Sequence, residues 1–322
     1  MSGVDQRTVA VYGASGHTGR FVVAELVERG FAPVSVGRDA SRLPGPEVRV
    51  APVDDPAALD RAFTGVDAVI NCAGPFADTA GPVIAAAGRA SVPYVDVAAE
   101  IEANADTFAR EATTPVIPAM AFFGGLGDLL VTAAMGDWTT ADEAHIAYGL
   151  SGWRPTEGTR RAGAVSRERR GGKRVRFTGG RLDYHDDAMP VLDWPFPSGP
   201  RPVYGEFSMA DVVTVPSHLP IPEVRTYMTT DAAGDLAAPD TPAPTGRTDQ
   251  TFVVDVVVRA GDQERRITAR GQDIYAVSAP LAVEAVDRVL TGRIKTSGVA
   301  SAGAAFDAAD FLRALAPRIT LG

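Results

Sequence analysis

The sequence predicts an α/β fold: a doubly wound parallel sheet, followed by a second α+β domain with a mostly antiparallel sheet. Three observations lead there. Short apolar, β-rich runs alternate with helically spaced segments from Thr8 to Phe123. A glycine-studded turn, "GASGHTG", joins the first such run to the first helix. After Phe123 the texture changes to proline-rich loops and strands of alternating polarity.

Thr8 to Tyr12 reads as the first strand, and Arg20 to Arg29 as the first helix, with Phe21, Val22, Leu26 and Val27 at helical spacing. Pro33 to Val36 and Val48 to Val53 read as the second and third strands. Pro56 opens a helix that runs through Phe63, and Gly65 closes it. "DAVINCAG" follows as the fourth strand, "GPVIAAAGRA" as a helix and "PYVDVAAE" as the fifth strand. Ile101 to Ala112 reads as a further helix and "PVIPAMAF" as the sixth strand. Short connections between alternating elements imply a parallel sheet covered on both faces.

Residues 1–127 are assigned to this unit and residues 128–278 to the second. There, "TFVVDVVVRA" and "ERRITARGQDIYAV" flank "GDQ" as a hairpin, and Asp231 to Gln250 reads as an exposed loop. Tyr204 and Tyr275 read as strand-packing aromatics. Asp128 reads as the cap of a helix beginning near Leu129. Two apolar segments, "APLAVEAVDRVLTG" and "AAFDAADFLRALA", read as helices within residues 279–322. The sequence leaves open whether they return to the first unit.

Composition narrows the function classes. The net charge of -9 argues against general affinity for nucleic acid or an anionic membrane. Cys72 is the one cysteine, so neither an internal disulfide nor a cysteine-based metal cluster is expected. No apolar run reaches membrane-spanning length without a charge, and the start "MSGVDQRTV" lacks a signal-peptide pattern. A cytoplasmic protein is expected, and exposed strands in the second unit are compatible with a homodimer.

Gly13, Gly16 and Gly19 stand where a dinucleotide site needs them. The first permits the turn, the second admits a pyrophosphate to the backbone amides, and the third lets helix and strand pack closely. The helix start adds oriented N–H groups, and Ser15 and Thr18 add hydroxyl donors. His17, inside the turn, reads as a helix-start residue beside the cofactor. A Rossmann-type unit is the result. The second strand leads into "GRD": Arg38 suits a 2′-phosphate through its planar donor fork, while Asp39 keeps the unphosphorylated cofactor open. NADP(H) is therefore favoured over NAD(H). Asn71, Ala73, Gly74, Pro75 and Phe76 follow the fourth strand, at the sheet edge where such folds bind ligands, and are expected to line the nicotinamide side.

Through "VYGASGHTGR", "VGRDASRL", "VINCAGPFADTAGPVIAAA" and "VPYVDVAAE" the chain resembles the saccharopine dehydrogenase-like NAD(P)-binding family. That group is similar to saccharopine reductases and trans-acting enoyl reductases. "FFGGLGDLLV", "EGTRRAGA" and "GVASAGAAF" are weaker points of likeness. The resemblance implies an NADP(H)-dependent oxidoreductase with a cofactor unit and a substrate unit, Asp96 to Glu100 closing the mouth of the site. The bond reduced is C=N, C=O or C=C. One alternative is an enoyl reductase acting on a carrier- or CoA-linked acyl group, although "AFFGGLGDLL" lacks the acidic residue and proline of that version. Another is a catalytically silent NADP-binding sensor or scaffold.

The proton-handling residue is harder to find. None of the seven tyrosines has a lysine four residues on, which disfavours a tyrosine–lysine donor pair, and the four histidines are scattered. The candidates are Glu100, after the fifth strand, and Tyr184 with His185 in "LDYHDD"; alternate strand faces separate the last two. Between Arg160 and Arg176 the chain is strongly basic. That segment is either a solvated loop and strand face or a lid that attracts an anionic small-molecule substrate.

Overall fold

A computed structural model describes residues 6–322. Its first unit alternates as expected: β1 (Thr8–Tyr12), α1 (His17–Glu28), β2 (Ala32–Gly37), β3 (Val48–Val50), α2 (Pro56–Phe63), β4 (Ala68–Asn71), α3 (Phe76–Arg89), β5 (Tyr94–Asp96), α4 (Ile101–Phe108) and β6 (Val116–Ile117). The six strands pair in the order β3-β2-β1-β4-β5-β6, all parallel. This is the Rossmann order, and its reversal between β1 and β4 opens a crevice at the carboxyl ends of those strands.

The apolar run of β1 serves both faces of the sheet. Val9 and Val11 join a core that includes Val22 and Leu26 of α1. Ala10 and Tyr12 face a second core with Leu59, Phe63 and Val83 from α2 and α3. Alternation across a doubly covered sheet needs apolar residues at every position, hence the continuous run.

The remaining elements are α5 (Gly127–Met135), β7 (Glu143–Leu150), α6 (Glu157–Arg169), β8 (Arg174–Thr178), β9 (Arg181–His185), β10 (Val191–Phe196), β11 (Gly199–Gly205), α7 (Asp211–Thr214), β12 (Glu223–Thr229), α8 (Thr230–Ala237), β13 (Thr251–Ala260), β14 (Gln263–Gln272), α9 (Ser278–Leu290), α10 (Ala302–Ala305), α11 (Ala308–Ala314) and β15 (Ile319–Leu321). A second sheet runs β10-β11-β12-β7-β13-β14-β15, with β8 and β9 attached through β12. It is mostly antiparallel, with one parallel pair, β12 and β7.

Several boundaries differ from the sequence reading for local reasons. Helix α3 begins at Phe76 and carries Pro82 inside it, because its start is held from outside the helix, as described below. The expected loop from Asp231 begins instead with α8, whose Ala232 and Ala233 are buried. The last predicted helix is broken into α10 and α11, with Asp307 capping α11 through the amide of Asp310 at 2.9 Å. Asp128 caps no helix of its own. It accepts from Gly303 N at 2.7 Å, at the start of α10, and sits 2.8 Å from His218 Nε2. Helix α9 lies on α1, where Arg29 pairs with Glu284 at 2.6 Å. Leu281 and Ala285 of α9 share a core with Val22 and Leu26 of α1.

Candidate functional site

Each glycine of the "GASGHTG" turn has its own geometric reason. Gly13 has φ +81°, and a Cβ there would stand 2.8 Å from the backbone nitrogen and Cβ of Ala73 after β4. Gly19 faces the Gly13 carbonyl so closely that any Cβ would collide with it. Gly16 is different: its nearest atom is the Gly13 carbonyl at 3.2 Å, so it leaves open space beside the amides that begin α1. Gly16 is the N-cap and offers no side-chain acceptor to those amides. The cradle fits a dinucleotide's pyrophosphate: no side chain at Gly16, first-turn N–H donors without a side-chain cap, and the positive end of a helix. Ser15, His17 and Thr18 border it. His17 Nε2 is buried with no hydrogen-bond partner among the described residues, and burial lowers the pKa of that imidazole.

At the end of β2 the two neighbours part company. Arg38 is exposed. Asp39 turns back on its own chain, its Oδ1 accepting from Ser41 N at 3.0 Å and Ser41 Oγ at 2.7 Å to cap a short 3-10 turn. Arg20, from α1, donates to the Ser15 carbonyl at 3.1 Å and the Arg42 carbonyl at 3.3 Å, tying the glycine turn to that same segment.

The strand ends on the other side of the crevice are bound by a buried polar network. Asn71 donates to Tyr94 Oη at 3.1 Å and Thr79 Oγ1 at 3.3 Å, and accepts from Ala73 N at 3.0 Å. Its side chain shapes the β4–α3 turn from beneath. Tyr94 donates to Asp96 at 2.8 Å, and Asp96 also accepts from Ala98 N and Ala119 N. Burial pushes the Asp96 carboxyl up to about 6, against those three hydrogen bonds. Burial likewise pushes up the neighbouring Cys72 thiol, so it is no nucleophile.

Glu100 is engaged at the start of α3. Its two carboxylate oxygens accept from Phe76 N and Ala77 N, each at 3.0 Å. This long-range cap holds the helix whose first residues are the expected nicotinamide wall. Burial raises the Glu100 carboxyl to about 7, opposed by the two amides. Its geometry gives it a positioning task.

Tyr184 and His185, grouped with Glu100 as candidate acids, are not brought together. In the β8–β9 hairpin Tyr184 stands opposite Val175 and His185 opposite Arg174, on opposite faces. Tyr184 is exposed, and His185 is buried with Asp187 at 3.4 Å and Glu206 at 3.9 Å. The basic segment forms α6 and β8, and its cations are largely occupied. Arg160 donates to the carbonyls of Leu236 and Ala238, Arg169 pairs with Asp106, Arg170 with Glu102, and Arg176 with Asp183 and Glu206.

What sequence reasoning missed is the approach of the second unit to the crevice. Tyr275 is no strand residue: it lies in the turn before α9. Its ring meets the His17 ring edge-on at 5.2 Å. Its hydroxyl accepts from Trp153 Nε1 at 3.1 Å and Thr156 N at 3.2 Å, and lies 2.9 Å from Thr159 Oγ1. One turn further along α6, the Ala162 Cβ stands 3.9 Å from where a Cβ on Gly74 would be. The hydrophobic pattern of α6 gave no hint of this, because the stripe it turns inward is Thr159, Ala162 and Ser166.

Comparisons with known proteins agree with this architecture. The family model described as NAD(P)H-binding matches residues 13–119. A probable mitochondrial saccharopine dehydrogenase-like oxidoreductase of Arabidopsis thaliana is 29% identical over 142 residues, covering 35% of this chain and 31% of that protein. The match thus spans about a third of the relative's length. Apo saccharopine dehydrogenase (L-Glu forming) of Saccharomyces cerevisiae shares the fold over 98% of this chain and 99% of its own, with a TM-score of 0.68 at 12% identity. Among the described residues, no helix is long and apolar enough to cross a membrane. The chain thus carries an NAD(P)H-binding unit over residues 13–119, shares the fold of saccharopine dehydrogenase over nearly its whole length, and is similar in sequence over about a third of it to a saccharopine dehydrogenase-like oxidoreductase.

Proposed function

We propose that this protein is an NADP(H)-dependent oxidoreductase that moves hydride between the nicotinamide and a C=N, C=O or C=C bond of a small molecule. Residues 1–127 hold the dinucleotide and residues 128–278 face the substrate. The observation that carries the cofactor choice is at the end of β2, where Asp39 is turned onto Ser41 and Arg38 is exposed. A carboxylate that would select a ribose 2′-hydroxyl is engaged elsewhere, and a guanidinium suited to a 2′-phosphate stands in its place.

In this reading Gly13, Gly16 and Gly19 seat the pyrophosphate on the α1 amides, with Ser15, His17 and Thr18 around it. Ala73, Gly74, Pro75 and Phe76 line the nicotinamide side, Asn71 fixing their turn and Glu100 their helix. When bound, the dinucleotide supplies or accepts the hydride; the chain's part is to orient it and exclude water. The proposal includes a cytoplasmic homodimer acting on a small anionic molecule, and sedimentation at twice the chain mass would support the dimer.

Direct titration tests the cofactor assignment. Arg38→Ala is expected to weaken NADPH by about 10- to 100-fold, the loss of one charge-assisted contact, with little change for NADH. Equal losses for the two refute the 2′-phosphate role. Mixing the protein and NADPH with a panel of imines, ketones and enones tests the chemistry: decay of nicotinamide fluorescence supports an oxidoreductase. Tight binding without decay across the panel favours a silent NADP-binding protein.

A further inference from the structure

The turn at β4 and the glycine turn at β1 form the two banks of the crevice, and α6 reaches both. At one bank its Ala162 lies over Gly74. At the other, its Thr156 and Thr159 are joined to Tyr275, whose ring rests on His17. The helix is pinned across this span at its far end too, by Glu102 with Ser166 and Arg170. Gly163, one turn on from Thr159, has nothing within 4 Å of where its Cβ would stand, so the helix is not packed tightly along its whole length.

Counting protons in the Tyr275 cluster gives the chemistry of this span. Both lone pairs of the Tyr275 oxygen are taken, by Trp153 Nε1–H and by the Thr156 N–H. Its own proton therefore goes to Thr159 Oγ1, at 2.9 Å. Thr156 and Thr159 are bonded to each other through their hydroxyls, at 2.9 Å, and only one of them donates in that bond. Whichever it is, one hydroxyl proton of the pair has no acceptor among the described residues. The cluster therefore keeps one O–H donor that its own hydrogen bonds do not use.

Resting on the dinucleotide reading above, we propose that α6 is the roof of the cofactor site and that the Thr156–Thr159 pair, oriented by Tyr275, provides a hydrogen-bond donor to the nicotinamide ring of the bound dinucleotide. The site is thus completed by the second unit. The Thr156–Thr159 pair binds, with Thr159 linking it to Tyr275, and Tyr275 is a positioning residue, since the tyrosine's hydroxyl is saturated by the groups it aligns.

Two ligands separate this from the general cofactor assignment: NADPH, and 2′-phospho-ADP-ribose, which lacks the nicotinamide. Thr159→Val should raise the Kd for NADPH by about 5- to 10-fold, the value of one hydrogen bond, and leave that for 2′-phospho-ADP-ribose unchanged. Thr159→Ser should restore it. No loss for NADPH, or an equal loss for both ligands, overturns the donor role. For the roof, Gly74→Cys with Ala162→Cys, in a Cys72→Ala background, places two thiols at disulfide spacing. The oxidised protein should take up NADPH at least tenfold more slowly than the same protein after reduction. Equal association rates would show that α6 does not cover the site. Binding of neither ligand by the unaltered chain would instead sink the dinucleotide reading.

Discussion

A carboxylate with two amide donors would ordinarily be held low, yet Glu100 is raised to about 7 because its burial outweighs the two hydrogen bonds. Asp96, fully buried at the end of β5 four residues before it, is raised to about 6 for the same reason. The consequence for stability has a definite sign. A carboxyl whose pKa is higher in the folded state binds its proton more tightly there. Its contribution to stability is full below the unfolded value and is lost as pH rises through the folded one. For Glu100 that window runs from the ordinary glutamate value of 4.5 to about 7. Denaturant unfolding should therefore show stability falling between pH 5 and 7, and Glu100→Gln should flatten the slope by about one proton, or ~1.4 kcal/mol per pH unit. An unchanged slope in the variant would mean that Glu100 is not the group that titrates. The glutamine can still accept from one amide, so loss of the helix start is not required for this effect.

Among the elements, those of the first unit were largely legible in the sequence because their instructions are local. The β1 run, Pro56 at the start of α2 and the three glycines each carry a backbone requirement that the residue type itself expresses. The start of α3 was not legible, because its cap is Glu100, 24 residues away. Nor was α6's place, since a helix that turns threonine, alanine and serine inward has no apolar stripe to read. Tyr184 and His185 show the converse: adjacency in sequence became opposition in space, as strand geometry dictates. Within the glycine turn the structure separates two kinds of requirement, and substitution should separate them too. Gly13→Ala forces a positive φ on alanine and drives a Cβ into Ala73, so it should lower the melting temperature markedly. Gly16→Ala should cost much less stability than Gly13→Ala, since it meets only the Gly13 carbonyl, at a tight 3.2 Å that a backbone shift of a few tenths of an ångström relieves, and at an ordinary φ. Its methyl group instead occupies the cradle, and NADPH affinity should fall by about tenfold or more, as expected where backbone must approach the pyrophosphate. If both variants lose stability alike, Gly16 is a structural glycine and the cradle loses its clearest residue.

One face of each sheet packs into a core that the two sheets share. Val9, Val22 and Leu26 belong to one continuous apolar cluster with Tyr148 and Val254 of the second sheet and Leu281 of α9. Helix α9 closes this arrangement with charge as well as apolar surface. Glu284 pairs with Arg29 of α1 at 2.6 Å and with Arg288 at 2.7 Å, and Arg288, 2% exposed, also reaches Asp310 at 2.9 Å. Removing one member of a buried ion network strands the others in low dielectric, at a cost of about 3–5 kcal/mol. Glu284→Ala should therefore destabilise the whole molecule, although it lies far along the chain from the glycine turn. Because the core is shared, that loss should appear as one shifted transition, seen identically by far-UV circular dichroism and by tryptophan fluorescence. Trp153 and Trp194 report from the second sheet's side, and the circular dichroism from every helix, so the two signals sample both units. Two resolved transitions, with only one moved by Glu284→Ala, would mean that the units fold independently and that α9 stabilises just one of them. A single transition would tie the dinucleotide crevice to the integrity of the second unit, as a roof built from α6 requires.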